Sequence, residues 1–337
     1  PEIRVASIPL NTGKDESLVL FAMPKQNPAT GKLYAPGFNQ IFLDPITGEE
    51  MGKREWGAVW PLNSENFVSF LYKLHYSLHL PEMFGTDRWG IWLLGIIAII
   101  WVLDCFVGFY LTLPVRQKKL PGNLPANLSA NLSENHPALG ATHPLPKRPT
   151  GFWNRWKKAW RVRLNSGKFK FNYDIHRAFG LWTWILLLVV AFSAVSLNLR
   201  REVFLPLLSS VTTVSPGVLD KRARTPLHEP VEPKRSYAEI LPMAIEQAKQ
   251  QGWHEPAGRI GYFMNLGVYA VDFYMPDADH GVAGGGHKRL LYDGQNGELL
   301  GQRIPWTGSG GDIFAQAQFP MHSGRILGLG GRIMISV

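Results

Sequence analysis

The sequence has very little cysteine, and this scarcity excludes several kinds of site. Its 337 residues include one cysteine, Cys105, which lies inside a long apolar run. A single thiol can form neither an internal disulfide nor a cysteine-ligated iron–sulfur cluster. Two other signatures are missing. The glycines at 284–286 are not followed by the Lys-Ser/Thr of a phosphate-binding loop, and Tyr76 occupies the glutamate position of a His-Glu-x-x-His zinc hydrolase.

Charged residues are almost absent from two long stretches. Trp89 to Pro114 contains one ionisable residue, Asp104, and Gly180 to Leu199 contains none. Each stretch is long enough to cross ~30 Å of hydrocarbon as a helix that rises 1.5 Å per residue. We therefore predict two membrane-spanning helices and contact with the lipid bilayer. A carboxylate inside a span is costly, so Asp104 is expected either to pair with another helix or to carry protons.

Positive charge is concentrated between these two stretches. From residue 115 to 174 there are twelve Lys/Arg and two acidic residues, so this segment carries +10 while the whole chain carries +9. The positive-inside rule places this loop in the cytoplasm and both flanking parts on the outer side of the membrane. Because the charge lies beside the spans, it does not indicate nucleic-acid binding. Trp153, Trp156 and Trp160 among basic residues predict an amphipathic helix at the inner interface.

One pattern of five residues occurs twice. Its members are Asp44, Gly48, Glu49, Gly52 and Arg54 in the first copy, and Asp293, Gly297, Glu298, Gly301 and Arg303 in the second. Glycine permits positive φ and aspartate accepts hydrogen bonds in turns, so these residues indicate turns more than ligand binding. Each copy is followed by histidine and then by an apolar stretch. The duplication predicts two small α+β domains, each leading into a membrane helix.

Four of the ten histidines lie at the predicted boundaries of spans: His75, His79, His176 and His322. A haem iron takes two axial donors from opposite sides of the porphyrin, so two helices must supply them. An outer haem would use His322 with either His75 or His79, and an inner haem would use His176. A spacing of four predicts His75 and His79 on one helix face, so both cannot be axial to one iron. A zinc site at this pair, Met321 as a weaker ligand, and plain interfacial hydrogen bonding remain alternatives.

These motifs resemble the PepSY-associated transmembrane helix family. The resemblance rests on Leu-His75-Tyr-Ser-Leu-His79, Asp174-Ile-His176-Arg177 and Met321-His322-Ser-Gly324, and the two repeated turns look like PepSY domains. That family includes iron-regulated inner-membrane proteins and ferric-siderophore reductases with b-type haems. The resemblance implies a four-helix membrane bundle, with two full spans present, and two small periplasmic α+β PepSY-like domains. It also implies two haems b, with iron ligands among the four histidines.

The expected domain organisation follows from these segments. We predict a first PepSY-like domain (1–70), a histidine-bearing helix and span (71–114), a basic cytoplasmic loop (115–173), a second span (174–199), a second PepSY-like domain (200–320) and the start of a last helix (321–337). The duplication leads us to expect a helix before Pro1 and a last helix that continues past Val337.

The sequence therefore favours a multi-pass inner-membrane cytochrome that takes electrons from a cytoplasmic donor and reduces a periplasmic ferric siderophore or other chelate. Reduction to Fe(II) weakens the hold of hard oxygen ligands on iron. Arg303, Trp306 and the loop at 308–311 are the predicted dock. One alternative is a cytochrome with another acceptor, such as copper, a quinone or a partner protein. The other is a non-enzymatic PepSY module that binds or regulates peptidases.

Overall fold

The computed structural model describes residues 2–12, 16–115, 151–226, 229–276, 278 and 280–336. It divides into two compact units, one formed by residues 1–99 and 189–337 and the other by residues 100–188. Most of the predicted cytoplasmic loop, residues 116–150, lies outside the described residues.

The described strands all belong to the first unit. They are β1 (Ile3–Pro9), β2 (Leu18–Pro24), β3 (Gln40–Leu43), β4 (Glu50–Arg54), β5 (Ala257–Phe263), β6 (Val268–Phe273), β7 (Lys288–Asp293) and β8 (Leu299–Arg303).

Eight α-helices occur among the described residues. They are α1 (Phe67–Ser77), α2 (Trp89–Leu111), α3 (Phe152–Trp156), α4 (Lys168–Asn198), α5 (Leu205–Val211), α6 (Tyr237–Gln250), α7 (Gly310–His322) and α8 (Gly328–Ser336). Short 3₁₀ turns cover Lys157–Trp160, Val218–Lys221, Val282–Gly284 and Arg325–Leu327, and a π turn covers Arg200–Phe204.

The strands of the two repeats share one antiparallel sheet, in the order β4-β3-β2-β1-β5-β6-β7-β8. The junction is the β1–β5 pair, in which Ser7 lies opposite Gly261 and Ile8 opposite Ile260. The strands of the two predicted α+β domains thus lie in one continuous sheet, and the bounds of the two domains stay a prediction. Pairing β1 with β5 satisfies the backbone groups of two strands that would otherwise be sheet edges.

The repeated residues form the predicted turns. The Asp44 carboxylate accepts the N–H groups of Ile46 and Thr47 at 2.8 Å, and Gly48 has φ +73°. In the second copy the Asp293 carboxylate accepts the Gln295 N–H at 2.7 Å, and the glycine at 297 has φ +77°. The turn interpretation of this repeat is confirmed.

A hydrophobic core forms where α6 packs on the sheet. The helix begins with a capping box in which Ser236 N–H donates to the Glu239 carboxylate at 2.7 Å, as the sequence indicates. Its buried face packs against the central strands; the shared core includes Ile240, Ala244, Ala248, Ile260, Val271 and Leu290. Each large apolar side chain buried here contributes ~1.5–3 kcal/mol. This core keeps β5, β6 and β7 in fixed register.

Helices α2 and α4 are long and apolar enough to cross a membrane, and the boundary between the two units falls inside both. Only 22% and 28% of their most apolar windows are buried by the described residues. A core helix of a soluble protein is mostly covered by other side chains. The exposed apolar surface of these helices is therefore suited to lipid. The rest of a four-helix bundle stays a prediction.

The second unit holds the tryptophan-rich segment that the sequence predicts to lie at the interface. It is helical, but short, over α3 and the following 3₁₀ turn. The Trp156 indole N–H donates to the Thr112 hydroxyl at 3.3 Å, and its ring lies 5.9 Å from that of Phe109. The segment is thus attached to the end of α2, with the exposed ring of Trp153 beside it.

Candidate functional site

Helix α1 ends between the two histidines that were predicted to share its face. Ser77 is its last residue, and Leu78 takes the left-handed conformation with φ +54° while its N–H bonds to the Leu74 carbonyl. His79 follows with φ +52° and lies outside the helix. The prediction that His75 and His79 lie one turn apart on one helix face is therefore wrong.

The His79 ring is held against α1. Its Nε2 lies 2.9 Å from the Phe70 carbonyl oxygen, and the two rings stack with centroids 4.6 Å apart. Because a carbonyl only accepts, Nε2 must carry the proton. The other nitrogen, Nδ1, is buried and has no hydrogen-bond partner among the described residues. Nδ1 therefore keeps its lone pair, but because this nitrogen is buried against the protein it is less accessible to an iron than the exposed ring of His75.

His75 instead faces His322, the last residue of α7. The two ring centroids are 6.0 Å apart and the rings are tilted by 42°. This separation would leave room for one metal ion between the two rings, since imidazole nitrogens bind metals at ~2 Å. His75 is exposed on α1 and His322 is half-buried, so the pair comes from two different helices. The structure thus brings together one of the two predicted combinations.

A hydrogen bond fixes which nitrogen of His322 is free. Nδ1 lies 3.1 Å from the Ser193 hydroxyl oxygen, and that hydroxyl donates to the Val189 carbonyl at 2.7 Å. With its proton used in this way, Ser193 must accept from Nδ1–H, which leaves Nε2 as a lone-pair donor. A neutral imidazole with a fixed tautomer is the form that binds metal.

Ser193 was missed by the sequence analysis. It appeared there only as a polar interruption of the second span, and nothing local distinguishes it from Ser196 on the same helix. Ser196 bonds its hydroxyl to the Ser193 carbonyl at 2.8 Å. The role of Ser193 arises from the packing of α7 against α4.

His176 lies in the second unit and stands exposed on α4 beside open space. A cavity of about 570 Å³ is lined by His176, Asn172, Phe179, Gly180 and other residues of the same helix. A Cβ added to Gly180, one turn after His176, would meet no heavy atom within 4 Å. This glycine leaves the flank of the imidazole uncovered, as a large planar ligand requires.

An ion cluster fixes the helix next to His176. The carboxylate of Asp174 is fully buried and accepts hydrogen bonds from Arg163 Nε at 2.6 Å and from Arg177 Nη2 at 3.0 Å. Arg177 also donates to the Lys158 carbonyl at 2.8 Å. The cluster ties the start of α4 to the segment after α3, and it limits rotation of the residues around His176.

The donor set fits haem better than zinc. No group of three or more His, Cys, Asp or Glu side chains that could hold a metal ion occurs among the described residues. A protein zinc site needs three or four such ligands, whereas the porphyrin supplies four of the six donors to a haem iron. Two facing imidazoles, one with a fixed tautomer, meet the remaining requirement. The residues present fit a haem.

The predicted chelate dock is already engaged in internal contacts. Arg303 donates to the carbonyls of Gly285 at 2.6 Å and His287 at 3.3 Å, and the Trp306 indole donates to the Val282 carbonyl at 2.8 Å. These bonds hold the glycine-rich loop in place. Trp306 also lines a cavity of about 580 Å³ beside that loop. A docking role for Arg303, Trp306 and the loop at 308–311 stays a prediction.

Comparison with known families decides the membership. The family described as the PepSY-associated TM region matches residues 4–143 and 149–337, which is nearly the whole chain. The chain belongs to this family. The resemblance seen in the histidine motifs is confirmed. No curated protein matches the chain. Membership in the PepSY-associated TM region family, together with the two apolar helices α2 and α4, makes this a membrane protein in contact with lipid.

Proposed function

We propose that this PepSY-associated membrane protein is a b-type cytochrome of the bacterial inner membrane that reduces a ferric chelate in the periplasm. The observation that carries the proposal is the pair His75 and His322, whose rings are 6.0 Å apart on two helices. The Ser193 hydroxyl supports it, because this hydroxyl leaves Nε2 of His322 available as a ligand. The acceptor class rests on the family resemblance.

The residues would divide the work as follows. His75 and His322 would hold the outer haem, and His176 would supply one ligand of an inner haem. When bound, haem supplies reversible one-electron chemistry at its iron. Ser193 keeps the His322 ring oriented. The Asp174 cluster restrains the helix that carries His176.

The distribution of positive charge predicts on which side of the membrane each candidate histidine lies. The basic segment before His176 is expected on the cytoplasmic side, so the segments that carry His75 and His322 would lie on the periplasmic side. Electrons would enter from a cytoplasmic donor and leave toward a ferric siderophore or similar chelate. The product Fe(II) binds hard oxygen ligands more weakly and exchanges faster, which would release the iron.

The test is a reduced-minus-oxidised visible spectrum of the full-length protein in detergent, with His322→Ala and the matched control His254→Ala. His254 is exposed and far along the chain from either predicted span. We expect a b-type spectrum that loses part of its intensity in His322→Ala and none in His254→Ala. The wild-type protein, once reduced, should reoxidise when ferric chelate is added.

Two results would count against the proposal. A folded, colourless protein after expression with ample haem would favour the non-enzymatic PepSY binding module. A haem protein that ferric chelates do not reoxidise would favour a cytochrome with another acceptor, such as copper, a quinone or a partner protein.

A further inference from the structure

Four charged residues form one row across neighbouring strands of the sheet. Arg259 on β5 lies opposite Asp272 on β6. Asp272 in turn lies opposite Arg289 on β7, and Arg289 lies opposite Arg303 on β8. Residues directly opposite one another in a ladder point to the same face. The row therefore places three guanidinium groups and one carboxylate side by side.

The carboxylate is shared by two of the arginines. Asp272 is 2% exposed and accepts hydrogen bonds from Nε and Nη2 of Arg259 at 3.0 and 2.6 Å, and from Nε and Nη2 of Arg289 at 2.5 and 3.1 Å. The two arginine side chains are 43% and 26% exposed. Arg303 donates instead to backbone carbonyls, which carry no net charge. The row therefore has three positive charges and one negative charge, a net charge of +2.

This surplus is unfavourable for the protein by itself. Like charges directly opposite one another in a sheet destabilise the pairing. Burial, with the nearby Arg289, lowers the pKa of Arg303. An anion placed beside Arg259 and Arg289 would relieve this repulsion. Among the described residues, Glu16 and Arg259 both line a neighbouring cavity of about 250 Å³.

Small residues leave a hollow beside the row. Ser7 lies opposite Gly261, and Gly261 lies opposite Ala270, on the same face as the arginines. These residues, together with Arg259, Asp272 and Arg289, line a groove of about 270 Å³. The Ser7 hydroxyl is buried and has no hydrogen-bond partner among the described residues. Buried hydroxyl groups in folded proteins normally have a partner.

We propose that this groove binds a small oxyanion, a carboxylate or phosphate group, through Arg259, Arg289 and the Ser7 hydroxyl. On each arginine Nε and Nη2 already donate to Asp272, so Nη1 is the donor that an anion would meet, in the plane of the guanidinium group. The Ser7 hydroxyl gains an acceptor when the anion is bound. The site is independent of the histidine pair, and its ligand needs no haem. Two sources share this chemistry: a free anion of the periplasm, or the anionic arm of a ferric chelate.

The experiment is isothermal titration calorimetry of the full-length protein in detergent with citrate, ferric citrate and inorganic phosphate. We expect at least one of these to bind, with an affinity that falls as KCl is raised because the contacts are ionic. Arg259→Gln should weaken binding roughly tenfold or more, since a charge-assisted bond is lost. Ser7→Ala should weaken it about threefold, because a neutral hydrogen bond contributes less.

Two controls make the result specific. Arg235→Gln removes an exposed arginine that pairs with Glu239 on α6, and it should leave the affinity unchanged. Arg259→Lys keeps the charge but not the planar donors, and it should bind more weakly than wild type and more tightly than Arg259→Gln. If the thermal unfolding curve shows that Arg259→Gln has lost stability, the comparison of Arg259→Lys with wild type still tests the proposal.

The outcomes separate the sources. Equal affinity for citrate and ferric citrate indicates a free carboxylate, tighter binding of ferric citrate indicates the chelate, and preference for phosphate indicates a free phosphate. Binding that is the same in Arg259→Gln and Arg235→Gln, or no binding of any of the three anions, overturns the proposal. None of these readouts uses haem, so failure here is distinct from failure of the proposed cytochrome.

Discussion

Replacing His75 or His79 with alanine tests which of these two nearby histidines is a haem ligand and which one only packs against the protein. The two histidines are four residues apart, yet the ring of His75 faces His322 while that of His79 stacks on Phe70. If the proposed outer haem is correct, His75→Ala should lose it. His79→Ala should keep it and lose stability instead.

The magnitudes follow from the contacts. His79→Ala removes a hydrogen bond of 2.9 Å, which contributes ~1 kcal/mol. It also removes an aromatic stack, which contributes ~0.5–1.5 kcal/mol. The free energy of unfolding should therefore fall by about 2 kcal/mol. His75 is exposed, so in the haem-free protein its alanine variant should change stability by no more than ~0.5 kcal/mol; with haem present, the lost ligand would lower stability further. Its effect on haem affinity should exceed the ~10–100-fold typical of losing a residue that only supports a ligand.

The assay has two readouts on the same samples. The haem-to-protein ratio from the pyridine haemochrome spectrum measures ligation, and thermal unfolding followed by circular dichroism measures stability. Loss of haem in His79→Ala with retention in His75→Ala would refute the assignment. A loss of equal size in both variants would show that the conformation of this segment, and not one ligand, holds the haem.

Three further predictions test the surroundings of the site. Ser193→Ala should lower haem affinity at the outer histidine pair about 10–100-fold in a haem titration, and no change would refute the orienting role of the hydroxyl. Gly180→Leu should fill the groove beside the inner histidine and lower haem content, whereas Gly108→Leu, equally free of neighbours on α2, should not; equal effects would contradict this. Hydrogen bonds from the N–H groups of Ser215 and of the α7 cap lower the pKa of Asp312 to about 2 from 3.8. Its stabilising contribution is therefore complete above pH 3.8 and is lost as pH falls toward 2, so Asp312→Asn should flatten the acid branch of thermal stability.

Several features were predictable because their signals are local. The lengths of the apolar stretches predicted α2 and α4, the Ser236 and Glu239 pattern predicted the start of α6, and the repeated Asp and Gly predicted the hairpin turns. In each case the residues that specify the structure lie within one element or one turn. The family resemblance had the same origin, since short histidine motifs carried it. The candidate histidines were identified in this way as well, because their positions at the ends of apolar stretches are visible in the sequence.

Other features arise only from contacts between distant segments. The single sheet depends on the pairing of Ser7 with Gly261, two positions that no local pattern relates. His79 leaves the helix because Leu78 adopts a left-handed conformation, which a leucine rarely takes and its sequence does not signal. The sequence left two candidates, His75 and His79, for the ring nearest to His322. The positions at which α1 and α7 end place His75 there.

The sequence by itself therefore determined the spans, the turns, the charge asymmetry and the set of candidate ligands, because hydropathy, φ preferences and charge act over short distances. The tertiary structure decided which histidines meet, which serine fixes the tautomer of His322, and which arginines gather on one face of the sheet. Those contacts depend on the register of strands and on the packing of helices that are far apart in the chain, which no local sequence pattern specifies.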